Sequence, residues 1–200
     1  MGLSFRDLAS DKNVLIAEVT NCVGELVASN EVVYVNAFDT VKAAIRYKYT
    51  KADFSQDIII CQNPGTPADY GLNPDTTVLE MYSEFFSPPT PTVHPESDND
   101  QTLNFGQTQM GRGSAYLLGQ NLDEIPVAKE WVQIQDRHFL IEAVPYQQVK
   151  PLLENLQASV SREKKDAMAR RAVPNRENLV ALKGMKPKTK TKAVASIKRM

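Results

Sequence analysis

From Asn13 to Tyr146 the apolar side chains recur with a period of two, not the roughly 3.6 of a helix. In "AAIRYKYT", Ile45, Tyr47 and Tyr49 point one way while Ala44, Arg46 and Lys48 point the other. In "TVLEMYSEF", Leu79, Met81 and Phe85 share a face opposite Glu80, Tyr82 and Glu84. Alternation with one polar side is the mark of antiparallel strands with one wet face. Segments 14–19, 25–28, 31–36, 41–50, 57–61, 77–85, 102–109, 113–118, 130–135 and 138–144 read this way and are rich in Val, Ile, Tyr and Phe. Many short strands with few helices predict a mainly β fold, an antiparallel β-sandwich or barrel-like domain.

The connectors agree. Gly24 in "TNCVGE" and Ser29-Asn30 in "VASNEVV" suit tight turns, and Gly111 and Gly113 in "MGRGS" suit a hairpin loop. The stretch "WVQIQDRHFLIEAV" holds the single Trp and one of two His, flanked by acids. Val132 and Ile134 alternate on the way out, Phe139 and Ile141 on the way back, and Asp136-Arg137 makes the reversal. His138 is then an ordinary hairpin residue rather than a catalytic group, since no partner is positioned for it.

Past Tyr146 the period changes. Val149, Leu152, Leu153 and Leu156 fall on one helical face, and Pro151 belongs in a first turn, which predicts one short helix from about Lys150 to Gln157 lying as a lid on the core. Two proline-rich segments interrupt the strands. Residues 62–76 mix in Tyr70 and Leu72 and predict a packed connection; residues 87–100 end in acids and predict a mobile loop. The β pattern stops at Ala158, and residues 158–200 form a basic linker or tail, largely disordered by composition. Residues 1–12 are expected to be a flexible N-terminus and 13–157 the β module. There is no internal repeat.

Charge sharpens this division. The formal net charge of −1 hides a split: residues 1–160 hold 10 Lys/Arg and 21 Asp/Glu, a net of −11, and residues 161–200 hold 13 and 3, a net of +10. The basic run lacks aromatic residues for base stacking and follows an acidic body, so nucleic acid is an unlikely partner. No stretch approaches the roughly 18 apolar residues of a membrane span, and "MGLSFRDLAS" is not a secretory signal. Cys22 and Cys61 stand at no metal-ligand spacing and read as two separate buried thiols.

Candidate chemistry is sparse. Glu96, Asp98 and Asp100 in "ESDND" resemble the start of a calcium loop, but Gln101 and Gln107 stand where that loop needs Gly and Glu. "GRGSAYLLG" matches neither a phosphate loop nor a nucleophile elbow. Ser114 has no base nearby in sequence, and a dyad of His138 with either cysteine would depend wholly on the tertiary fold. The residues therefore predict no catalytic site, no cofactor and no metal, and a protein that is not an enzyme.

The ordered segments "VTNCVGELVASNEVVYVNAFDTVKAAIRYKYTKADFSQDIII", "PADYGLNPDTTVLEMYSEFFSPPTPTV", "QTLNFGQTQMGRGSAYLL" and "IPVAKEWVQIQDRHFLIEAVPYQQVKPLLENL" together resemble the N-terminal β-rich region of very large exported bacterial proteins. Those proteins continue into parallel β-helix-like or YD-repeat (Rhs-like) surface repeats. The likeness covers about residues 13–157. It implies a structural, assembly or adhesive module whose partners are adjacent repeat domains or another surface protein. It also implies an exported or cell-surface location if a parent chain carries the signal peptide; if this chain is a fragment its tail is the linker to the missing part, and if it is complete the module stands without its anchor. It carries over no catalytic residues. A second expectation is a binding module in which Tyr47, Tyr49 and Tyr82 form an aromatic strand face for a glycan or protein.

Overall fold

The computed structural model describes residues 1–96, 99–119, 124–166 and 180–184, with the backbone alone for 157–166 and 180–184. The strands are β1 (Gly2–Asp7), β2 (Lys12–Glu18), β3 (Gly24–Ala28), β4 (Glu31–Tyr34), β5 (Ala43–Tyr49), β6 (Phe54–Ile60), β7 (Thr77–Phe85), β8 (Thr92–Pro95), β9 (Gln101–Phe105), β10 (Thr108–Met110), β11 (Gly113–Leu117), β12 (Ile125–Ile134), β13 (Arg137–Pro145) and β14 (Val180–Gly184). One α-helix, α1 (Tyr146–Asp166), follows β13. The mainly β, antiparallel architecture is the one the alternation predicts.

Eleven strands form one antiparallel sheet in the order β2-β1-β7-β13-β12-β11-β14-β6-β5-β4-β3, and β10-β9-β8 form a second, small sheet. The large sheet folds back on itself. Leu3 and Phe5 from one half share a core with Ile45, Ile58 and Ile60 from the other. Gln56 Nε2 on β6 donates to Ser83 Oγ at 3.4 Å on β7, which is no neighbour of β6 in the sheet. Val19 also bridges to Phe38, tying the chain beyond β2 to the link between β4 and β5. The result is sandwich-like, with inner faces meeting in a common core.

Helix α1 contributes Tyr146, Val149, Leu153 and Leu156 to that core, in keeping with a lid. It begins one turn earlier than proline placement suggests and runs past Gln157 to Asp166, into the expected tail, with Pro151 inside it. The helix starts directly from β13, and burial of Tyr146 against the Phe5 ring, at 5.7 Å, fixes the first turn despite the proline.

Several expectations about order are corrected. Residues 1–12 are not a flexible end: β1 lies between β2 and β7, with Leu3 and Phe5 fully buried. The 87–100 segment contains β8, paired with β9, and Asp100 is buried, while residues 97–98, including Asp98, lie outside the described residues. Gly111 and Gly113 flank no hairpin; they carry the chain from the small sheet to β11, and the small sheet turns instead at Gly106, whose φ of +63° suits glycine. The β12–β13 reversal is at Gln135-Asp136, closed by the Ile134–Arg137 pair, with Gln135 at φ +58°. The 62–76 connection is packed, as expected: Leu72 is buried and Tyr70 meets the Phe5 ring at 5.7 Å.

The β pattern also does not stop at Ala158. β14, from the basic tail, pairs antiparallel with β11 on one side and β6 on the other. The rest of the expected tail, 167–179 and 185–200, lies outside the described residues.

Candidate binding face

Along β5 the alternation that buries Ala43 and Ile45 continues outward to Tyr47 and Tyr49. The registers set Tyr47 beside Val32 and Gln56, Tyr49 beside Phe54, and Tyr34 beside Ile45. Leu26 on β3 pairs with Val32. One face therefore carries Leu26, Val32, Tyr34, Tyr47, Tyr49 and Phe54, continuous with the core but running past it. Tyr47 and Phe54 stack at 5.7 Å and 20°, and Tyr34 meets Tyr47 edge-on at 6.0 Å. Leu26 is 70 % exposed, Tyr49 62 % and Phe54 45 %.

The local sequence explains how the face is held open. A Cβ on Gly24 would come within 2.8 Å of the Tyr34 ring and 2.9 Å of Val32, so only glycine lets the ring lie across β3. The β3–β4 turn falls at Ser29-Asn30, where expected, and Asn30 Nδ2 donates to the Tyr49 carbonyl at 2.7 Å. Burial and the neighbouring Tyr34 raise the Tyr47 hydroxyl above its ordinary range. That hydroxyl reaches Met1 Sδ at 3.9 Å, a weak contact.

Of the three tyrosines singled out by sequence, the structure joins two. Tyr82 lies on the opposite face of β7 from the core residues Leu79 and Met81, and its hydroxyl donates to Glu80. The residues that sequence missed are Tyr34 and Phe54. Their signal was the same period of two; only strand pairing shows that they share a face with Tyr47.

A second region is polar. Glu80 is buried and accepts bonds from Ser4 Oγ at 3.4 Å, from Asn13 Nδ2 at 3.1 Å and from the Tyr82 hydroxyl, with Arg6 at 3.7 Å. Burial, and then the bond to Glu80, push the Tyr82 hydroxyl up to about 12. Asp100 accepts from the Lys129 amide at 2.9 Å and from its Nζ at 3.0 Å, and Gln101 Oε1 accepts from the Trp131 amide at 2.8 Å. These two side chains cap β12 beyond its short pairing with β11, which covers only Ile125–Val127. A cleft of about 870 Å³ lies here, lined among others by Arg6, Val78, Glu80, Asp100, Lys129 and Ile141. Its buried carboxylates are engaged by protein donors, so they tie strands together. Beside it, Glu142 sits on the same register row as Lys129 and Met81. Burial raises its carboxyl to about 7, against the opposing pull of Lys129, and its Oε2 has no hydrogen-bond partner among the described residues.

His138 stacks on Trp131 at 5.8 Å, with Phe85 and Phe105 edge-on to the same indole. It is a half-buried member of an aromatic cluster, and its buried Nδ1 has no hydrogen-bond partner among the described residues. Cys22 and Cys61 are free and half-buried, somewhat more exposed than expected. Ser114 lies on β11 in register with Pro126 and Lys183. No described group of three His, Cys, Asp or Glu side chains is placed to hold a metal ion, and no described helix is long and apolar enough to cross a membrane.

No known family, curated protein or solved structure matches this chain.

Proposed function

We propose that this chain is a non-catalytic structural or assembly module of a large exported, cell-surface protein, and that it meets its neighbour through the aromatic face around Tyr47 and Tyr49. The observation that carries the reading is the contiguity of that face. Six apolar or aromatic side chains on four paired strands run from the core into solvent, with Tyr49 and Phe54 exposed at the end. Scattered exposed apolar residues need no explanation, but a joined patch marks a contact surface, and tyrosine is favoured at such surfaces. The resemblance of segments within 13–157 to the head regions of repeat-bearing surface proteins supplies the kind of neighbour: an adjacent repeat domain or another surface protein.

The near-parallel Tyr47 and Phe54 rings favour a second reading, a glycan whose C–H face stacks on aromatic rings.

The test compares Tyr49 labelling by a tyrosine-specific reagent in the isolated chain and in the longest reading frame that contains it, displayed on cells. Protection of Tyr49 in the long protein supports the assembly reading, and equal labelling sinks it. A glycan array run with wild type and with Tyr49→Ser/Phe54→Ser decides the second reading: it requires a glycan signal that the double variant loses.

A further inference from the structure

The large sheet is continuous only because β14 lies between β6 and β11. Remove that strand and six strands stand on one side, four on the other. The two strands that β14 joins carry core residues along the seam: with β14 in place, Ile58, Ile60, Ala115 and Leu117 are no more than 2 % exposed. The segment "VALKG" suits the gap in register. Val180 pairs with Ile60 and Leu117, and Leu182 with Ile58 and Ala115, so its branched apolar residues share rows with core residues. Lys183 shares a row with Asp57 and Ser114. A slip of one residue would bring the lysine to the Ile58 row, which makes the gap selective for this phase.

We propose that the gap between β6 and β11 is a strand-acceptor site for Val180–Gly184, and that a second copy of the chain also fills it, so that copies join by exchanging β14. The inference goes beyond the aromatic face and does not depend on it. Every strand pairing of β14 is to β6 or β11, so nothing in the ladder distinguishes a chain's own segment from a neighbour's. Residues 167–179 connect α1 to β14, a stretch that spans up to about 45 Å when extended, long enough for either route. Charge complementarity acts in the same direction: a tail of +10 is drawn to any body of −11 and offsets the repulsion between bodies. Exchange swaps each pairing for an identical one and needs no new interface. A tethered segment competes at an effective concentration on the order of 1 mM, so exchange prevails where copies are crowded to that level or where the tether is short.

The test places cysteines at a paired position of the full chain, Ile59→Cys with Ala181→Cys, in a Cys22→Ser/Cys61→Ser background. Antiparallel partners lie within disulfide reach. Under mild oxidation at about 10 µM, crosslinks should be mostly within one chain, with covalent dimers rising toward 1 mM. Deleting residues 170–177 should shift the product to dimers even at the lower concentration. Crosslinks that stay within one chain under both conditions overturn exchange. An absence of any crosslink overturns docking of the segment altogether. Should the shortened chain fail to fold, mixing two differently tagged full-length chains at about 1 mM decides the same question: mixed covalent dimers support exchange, and their absence refutes it.

Discussion

The aromatic face and the Glu80–Lys129 region are made from the same kind of strand, yet they treat their side chains in opposite ways. Around Glu80 and Asp100, buried charged groups are enclosed and hydrogen-bonded by residues far apart in the chain. Around Tyr47, rings stack on one another and then stop, with Tyr49 and Phe54 left facing water. A hydrogen-bonded polar network is committed to holding the fold, because each group in it would be costly to leave unpaired. An unfinished aromatic stripe leaves apolar area for a contact still to be made. The comparison teaches that chemical crowding in the described residues goes with the framework, and that the plainest strands carry the exposed apolar area.

The largest effect that would break this contrast is at Lys129, which is 1 % exposed. Lys129→Met leaves buried Asp100 with the residue-129 amide and the half-exposed Arg112, 3.7 Å away, but no ammonium, and should cost about 3 kcal/mol, read as a lowered denaturant midpoint. A loss below about 1 kcal/mol would mean the network is not holding strands together.

Next is Glu142. Its folded carboxyl titrates at about 7, above the ordinary 4.5, so the folded state holds the proton more tightly than the unfolded chain. The contribution of Glu142 to stability is then fullest below pH 4.5 and is lost as the pH rises through about 7. Glu142→Gln should remove that slope, gaining up to about 3 kcal/mol at pH 8 and little at pH 4, as measured by urea unfolding across the range. Parallel pH profiles for the two proteins would show that burial at this position is not felt as a charge penalty.

On the aromatic side the effects should be smaller. Gly24→Ala must lift the Tyr34 ring off β3, at a cost of about 1 kcal/mol, with a shift in the Tyr34 ring proton resonances. Smallest of all, Tyr49→Ser should change thermal stability by less than about 0.5 kcal/mol, since a side chain this exposed contributes little to the fold. A cost several times larger would make Tyr49 part of the framework and erase the distinction.

How much of this is legible in the residues differs from place to place. The 77–85 strand is found at its true limits, because Leu79 and Met81 alternate cleanly with Glu80 and Tyr82. β1 escapes a local reading although "GLSFRD" alternates too: a six-residue pattern at a chain end looks the same whether it is frayed or central. The strand in the tail is hidden for a similar reason, since "VALKG" is five residues among lysines and gains its meaning only from Ile58, Ile60, Ala115 and Leu117. For the candidate face, Tyr47 and Tyr49 are readable from one strand. Tyr34 and Phe54 are not, because their membership depends on register between strands.

The kind of element and the side of each strand that meets oil are written into the residues, because alternation is a local property of the backbone pleat. So is the separation of charge between body and tail. Only the tertiary structure decided which strands became neighbours, and so which buried charges found partners, which tyrosines joined and where the tail returned. Those outcomes depend on contacts between residues far apart in the chain, and no local pattern records them.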